Sequence, residues 1–405
     1  MLRVAYLFER FPSFGQTFCY REVAELERQG ADVTVFSIRR PTGEPPQDWN
    51  EALVGRVHYL PDENALAKEV EGAAADELPP EAVRALKEWG RNSDFLRLYQ
   101  AAYVGLRLRE LGIQRVHAHF AGMAARTVYW IRQFFGIDYS ITAHANDIFA
   151  PRDFVVSLEK IIARAAAVVT VSDFSADHLR RQFPAHASRV HRVYNGIEAS
   201  QFPQARFDSE PPLVVGVGRL IEKKGFADLV SACRFLVERR IAVRCAIIGE
   251  GPLHESLASH IAHSQLERVV ELLGPQSQAQ LVERLAAATV FVLPCAVEQG
   301  GGMDNLPTVI MEAMAAGLPV ISTRIGGVPE MVQPGVNGEL VPPGDSLALA
   351  DAIERIITNR ESARRLGAAG RALAAEKFGI EKNIRSLATI LAGESVAALQ
   401  ANNVL

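Results

Sequence analysis

The 405 residues hold 43 lysines and arginines against 47 aspartates and glutamates, with 48% hydrophobic and 22% charged residues. That balance is ordinary for a globular protein, and a net charge of -4 supplies no field that would gather nucleic acid. At roughly 150 residues per domain the length predicts two or three domains, and no apolar run approaches the ~18 residues of a membrane span.

The four cysteines, Cys19, Cys233, Cys245 and Cys295, form no C-x-x-C pair, so neither a zinc knuckle nor a redox pair is signalled. They read as reduced thiols of a cytoplasmic protein. The first residues, Met1 to Arg10, are apolar only briefly and lack the core of a signal peptide. The expectation is a soluble protein, or one attached peripherally at the cytoplasmic face of a membrane.

Leu2–Phe8 reads as a buried strand, Thr17–Gln29 as a helix ending at Gly30, and Val33–Ile38 as the next strand. Asp62–Gly112 is helical in pattern. Within it, Asp94–Leu111 sets Phe95, Leu98, Tyr99, Leu106 and Leu108 among Arg97, Arg107 and Arg109. A core helix with a solvated arginine face is expected there, ahead of a helix lying on a membrane. Strands recur at Val116–His119, Tyr139–Ala143, Val168–Val171 and Val190–Tyr194. Pro203, Pro211 and Pro212 mark Glu198–Pro212 as a linker. The alternation restarts at Leu213–Val217, Arg244–Ile248, Val269–Leu272, Val290–Leu293 and Pro319–Ser322. This is an α/β chain of two halves with parallel sheets, residues 1–200 and 201–375. A central cleft is implied, with ligands bound outside the carboxyl ends of the strands. Residues 376–405 are expected to form a helix that packs back on the first half, with a loose tail from Gly393.

Several motifs are excluded. Gly216-Val-Gly218 follows a strand, but Ile221 stands where a dinucleotide loop needs its third glycine, and Gly249-Glu-Gly251 fails the same way at His254. No Gly-Lys pair exists for a P-loop and no Asp-x-Asp triplet for a metal-held diphosphate. His117 and His119 share one side of a strand, but no neighbouring carboxylate or cysteine in the sequence completes a metal site, so no metal is expected.

The chemistry concentrates in one segment. After the buried Val290–Pro294 run comes a glycine-rich loop, Glu298 to Leu306, then a helix opened by Pro307 and stopped at Gly317. Exposed amides at that helix start suit a diphosphate. Thr308 and Glu312, four apart, share a face about 6 Å apart along the axis, the step from a diphosphate to its ribose. Asp304, just before the helix, is placed to accept from sugar hydroxyls. Arg219 and Lys224 bracket the loop after the first strand of the second half, two cations for a departing diphosphate; a surface ion pair with Glu222 is the alternative.

Together these residues resemble glycosyltransferase family 4, a group of retaining sugar transferases of GT-B fold, over nearly the whole chain. Gly218-Arg-Leu-x-x-x-Lys224-Gly is similar to the family's phosphate-binding segment. Ile248-Gly-Glu-Gly-Pro252 resembles its next strand and loop, and Leu273-Gly274 the place where the base is read. Glu312 to Val320 resembles the end of the family's signature of two glutamates. Phe11 to Phe18 resembles the loop that approaches donor phosphates and acceptor, and Thr142 to Asp147 the segment of the active-site histidine.

The resemblance implies His144, Arg219, Lys224 and Asp304 as catalytic. It implies a donor site of Gly15, Gly218, Gly249, Gly274, Asn305, Leu306, Thr308 and Glu312, with Arg219 and Lys224. Gln16, Thr17, His119 and Asp147 fall on the acceptor side. It further implies a first half for the acceptor and a second for a nucleotide-diphosphate sugar, UDP- or GDP-linked. The acceptor is a saccharide or lipid-linked saccharide of exopolysaccharide, colanic-acid or lipopolysaccharide assembly. Neither cofactor nor nucleic acid is implied. One departure stands out: Asp304 and Asn305 replace the family's usual Glu and Gly, which leaves the reaction class standing and the donor sugar open. An epimerase or phosphorylase of the same fold, or an inactive assembly subunit, are the rival expectations.

Overall fold

The computed structural model describes residues 1–45, 47–73, 77–89, 94–150 and 153–394. Cα packing divides it into two units. One comprises Met1–Glu44, Trp49–Tyr194 and the described residues from Glu381; the other comprises Pro45–Asp48 and Asn195–Ile380.

The first unit is built on seven parallel strands: β1 (Arg3–Arg10), β2 (Asp32–Arg39), β3 (His58–Tyr59), β4 (Arg115–His119), β5 (Asp138–Ala143), β6 (Ala167–Thr170) and β7 (Val190–Arg192). Their order is β3-β2-β1-β4-β5-β6-β7, so strand order reverses between β1 and β4, where Tyr6 pairs with His117 and Leu7 with Ala118. The second unit has six parallel strands: β8 (Leu213–Val217), β9 (Arg244–Ile248), β10 (Val270–Leu272), β11 (Val290–Leu293), β12 (Val320–Thr323) and β13 (Gly338–Val341). Their order is β10-β9-β8-β11-β12-β13, with the reversal between β8 and β11. A reversal point opens a crevice at the carboxyl ends of its two strands.

Short apolar runs become these strands because helices cover both faces. In the first unit Leu7, Val116, Ala118 and Ile141 pack with Leu98, Val104 and Leu108 of the Phe95–Glu110 helix and Val128 and Ile131 of the Met123–Phe135 helix. In the second, Val214, Val215, Phe291 and Val292 are fully buried, as are Ile310, Met311 and Met314 of the Thr308–Ala315 helix. Each such side chain contributes roughly 1.5–3 kcal/mol by leaving water.

The predicted strands are present with small shifts at their ends. Two others, β3 and β13, carry no pattern of their own: one is two residues long and the other mixes polar and apolar positions. The Asp94–Leu111 pattern forms the Phe95–Glu110 helix, and it is a core helix. Arg97, expected on its solvated face, is instead buried. No helix among the described residues is long and apolar enough to cross a membrane. The helix that follows Gly379 runs Ile380–Ala392, and Arg115 Nη1 donates to its Leu391 carbonyl at 3.1 Å. Of the expected loose tail, residues 395–405 lie outside the described residues.

Candidate active site

In the second unit the loops after β8, β9 and β10 are laced together by backbone hydrogen bonds. Gly218 N donates to the Ile248 carbonyl at 2.9 Å, Leu220 N to Glu250 at 2.8 Å, and Gly249 N to Gly274 at 2.9 Å. The approach is close enough to exclude side chains: a Cβ on Gly249 would meet the Gly218 carbonyl oxygen at 2.0 Å. Gly225 (φ +64°) closes a short 3-10 turn, Glu222–Lys224, and a Cβ there would lie 1.9 Å from the Pro294 carbonyl oxygen. That glycine holds the turn against the strand end that begins the loop to Asp304.

The result joins the two sides of the β8/β11 reversal. Lys224 Nζ donates to Asp304 Oδ2 at 2.6 Å, with the two side chains 12% and 13% exposed. Glu222, the alternative partner for the cations, is not the one taken by Lys224. The same Oδ2 accepts from Cys295 Sγ at 3.7 Å. Burial, then the Asp304 carboxylate, pushes the Cys295 thiol up, so it stays protonated and able to donate. Lys223 is also buried here, and burial pulls its ammonium below the ordinary lysine range against the attraction of Asp304. Arg219 is exposed. Gly327 N donates to the Asn305 carbonyl at 2.8 Å, which fixes the loop where Asn305 and Leu306 are buried. Thr308 begins the following helix, half-buried, and Glu312 is buried one turn on. Pro307 at the helix entry makes no side-chain cap, and its carbonyl accepts from Ile310 N at 3.1 Å.

In the first unit Phe14–Gln16 makes a 3-10 turn, with Gly15 exposed and Gln16 and Thr17 half-buried. Thr17–Arg28 is helical, and Cys19 and Glu22, three apart, share its inner face. They meet the end of β4. Glu22 Oε1 accepts from Tyr6 Oη at 2.7 Å and faces His119 Nε2 at 2.9 Å. His119 Nδ1 lies 3.5 Å from Cys19 Sγ and 3.2 Å from His144 Nε2. His117 places its ring nitrogens 2.8 Å from Ser140 Oγ and 2.9 Å from Thr142 Oγ1. His144 precedes the Ala145–Phe149 helix, and its amide donates to Asp147 Oδ2 at 2.9 Å.

Burial opposes charge on all three histidines. It holds His117 and His144 well below the usual histidine range, with His119 adding repulsion. For His119 itself burial is outweighed by Cys19 and Glu22, and the imidazole is raised to about 10. Cys19 is pushed up by its own burial and is a neutral thiol near pH 7, so the Glu22 carboxylate is the partner that charges His119. Burial also lifts Asp147 to about 6, against the pull of the His144 and Ala121 amides.

The expectation that no carboxylate or cysteine completes the His117/His119 pair is therefore corrected: Glu22 and Cys19 arrive from the helix after β1. One ligand atom each from Glu22, His117 and His119 lie within 4.8 Å of one another. Yet both nitrogens of each histidine already face protein partners. Such a set is a hydrogen-bond network first and a poor metal cage. Sequence reading also missed Tyr6, Cys295 and Lys223. None has a spacing signal: Tyr6 lies on β1, and Lys223 and Cys295 lie on two loops joined by the Ala296 N to Lys223 carbonyl hydrogen bond at 2.9 Å.

The structure thus places Gly218, Arg219, Lys224, Gly249, Gly274, Asp304, Asn305 and Leu306 on loops at the strand ends of the second unit, and Thr308 and Glu312 on the helix that follows. It gathers Gly15, Gln16, Thr17, His119, His144 and Asp147 at the strand ends of the first.

Residues 198–373 match the family model for glycosyl transferases group 1, and residues 15–201 match that for Glycosyltransferase Family 4. A protein of Escherichia coli K12 described as a colanic acid biosynthesis glycosyltransferase, WcaL, is 28% identical over 87% of this chain and 90% of its own. The amylovoran biosynthesis glycosyltransferase AmsK of Erwinia amylovora is 27% identical over 96% and 99%. Among solved structures, Anabaena HepE, crystallised with UDP, superposes with a TM-score of 0.73 at 19% identity, covering 96% of this chain and all of that one.

Proposed function

Since this chain belongs to glycosyltransferase family 4 and is a glycosyltransferase of GT-B fold, we propose that it transfers a sugar from a nucleotide-diphosphate donor to a saccharide or lipid-linked saccharide, with retention and without a metal. The reading rests most on the Lys224–Asp304 pair across the β8/β11 reversal.

Lysine has three ammonium protons. One is used on Asp304, which fixes the side chain and leaves donors for the leaving diphosphate. Arg219 and the start of the Thr308 helix are proposed to share that charge, with Gly218, Gly249 and Gly274 shaping the floor. Glu312 accepts from the ribose hydroxyls, Asn305 and Leu306 line the sugar, and Asp304 sets the reach of the loop towards it. In the first unit, Gly15 is proposed to approach the donor, while His144, supported by His119, Asp147, Gln16 and Thr17, serves the acceptor. A donor phosphate oxygen takes the acceptor proton, so no separate base is needed.

The relatives named for colanic acid and amylovoran biosynthesis support a role in cell-surface polysaccharide assembly. HepE, crystallised with UDP, makes a UDP-sugar the first donor to test, with a GDP-sugar the second. A lipid-linked acceptor would bring the protein to the cytoplasmic face of a membrane as a peripheral enzyme.

The test is a thermal-shift screen against UDP-, GDP- and ADP-sugars, then transfer assayed for wild type and Lys224→Ala, with and without a chelator. Transfer that is insensitive to chelator and lost in the variant is expected. Wild-type turnover in Lys224→Ala, or strict metal dependence, would sink the reading.

A further inference from the structure

The Phe95–Glu110 helix leads into β4 and the Met123–Phe135 helix leaves it. In a parallel sheet this places the first turn of each helix at the carboxyl edge. Arg97 sits in the first of these turns. It is 6% exposed, and its Nη1 is buried without a hydrogen-bond partner. Its charged neighbours are partly engaged with one another. Arg126 Nη1 donates to Asp94 Oδ1, its Nε donates to the Gly122 carbonyl at 3.3 Å, and its guanidinium lies 3.7 Å from the Phe154 ring centre. Arg39, the last residue of β2, pairs with Glu9 near the end of β1 at 3.5 Å. Among the described residues, the guanidiniums of Arg97, Arg126 and Arg39 lie with the carboxylates of Asp94 and Glu9, and that of Arg97 is the one of the three that forms no ion pair.

Burial first, and Arg126 second, lower Arg97 to about 10, which leaves it charged at neutral pH. An unpaired buried charge is costly, and a leucine or methionine at 97 would fill the helix face without that cost. Arginine earns such a place when a planar, two-oxygen anion completes it: its fork matches carboxylate and phosphate geometry.

We propose that Arg97, flanked by Arg126, is a subsite for an oxyanion, a carboxylate or phosphate carried by the acceptor, at the carboxyl edge of the first sheet. The inference rests on the reading that the first unit takes the acceptor. It narrows the acceptor to an anionic one, such as a uronic acid residue or a phosphorylated saccharide.

The test uses the full chain, wild type beside Arg97→Met and Arg97→Lys, with no sugar donor present. Glucuronate is titrated against glucose at equal ionic strength, and inorganic phosphate against chloride, followed by calorimetry and melting temperature. A response to glucuronate identifies a carboxylate site, and one to phosphate a phosphate site. Either should weaken about tenfold or more in Arg97→Met and partly recover in Arg97→Lys. Arg97→Met should also melt no lower than wild type without anion. No response to either probe would overturn the subsite, as would one that Arg97→Met and Arg97→Lys leave unchanged. Because no transfer is measured, such a failure leaves the Lys224 and Asp304 reading to its own assay.

Discussion

Lys224 Nζ and Asp304 Oδ2 meet at 2.6 Å although 80 positions separate the residues, and their bond closes the gap between β8 and β11. Each is mostly buried, so each depends on the other. Removing one partner of such a pair costs about 3 kcal/mol or more, because the other charge is stranded. Lys224→Ala and Asp304→Asn should each lower stability to denaturant by that order. The double variant should lose clearly less than the sum of the two. Additive losses in the cycle would mean that the pair is not coupled.

Asp304→Glu restores the longer acid usual in the family. The added methylene enters a site where Asp304 is 9% exposed and touched by Lys224 and Cys295. Overpacking of this kind costs about 1–3 kcal/mol. A lower denaturation midpoint is expected, together with a changed ratio of turnover between donor sugars. An unchanged ratio would show that the length of this acid does not set donor choice.

Gly225 has φ +64° and no room for a Cβ beside Pro294. Gly225→Ala should displace the Lys224 turn, with a loss of stability of at least about 1 kcal/mol and a larger proportional loss of transfer. Wild-type transfer in a folded Gly225→Ala would show that the turn need not be held this tightly.

The histidine network gives a pH signature. His119 is raised in the folded protein above the 6.5 of a free side chain, so its stabilisation is complete below pH 6.5 and is lost as pH rises through the raised value. His117 and His144, both lowered by burial, act in the opposite sense and withdraw stability as pH falls below 6.5. Melting temperature should therefore peak near neutrality. Between pH 6.5 and 9, below the ordinary range of Cys19, the decline should flatten in Glu22→Gln. An equal slope in that variant would show that Glu22 does not charge His119.

All the strands but β3 and β13 were legible because buried parallel strands are apolar throughout and the breaks between them carry glycine and proline. The Asp304–Glu312 loop and helix was legible for a related reason: loop, proline and helix are local events. Lys224 was legible as a cation at a strand end, but its partner was not. Glu222 was near in sequence and Asp304 near only once β8 and β11 lay side by side. Glu22 was hidden the same way, since nothing in a Cys19-x-x-Glu22 spacing tells which strand a helix will cover. Arg97 looked solvated by its residue type, and only the packing of two helices reveals that it is buried.

The last helix, Ile380–Ala392, belongs from Glu381 onward to the unit whose sheet is made first. During synthesis, β1 to β7 leave the ribosome well before that helix, and the whole of Asn195–Ile380 must be translated in between. Until then, the surface that Ile384, Leu387 and Leu391 cover is open to water. The nascent first unit therefore waits with an apolar face uncovered, which is the kind of surface that holdase chaperones bind. Chains that terminate early, before Ile380, would keep that face and with it a tendency to self-associate, however well their sheet had formed.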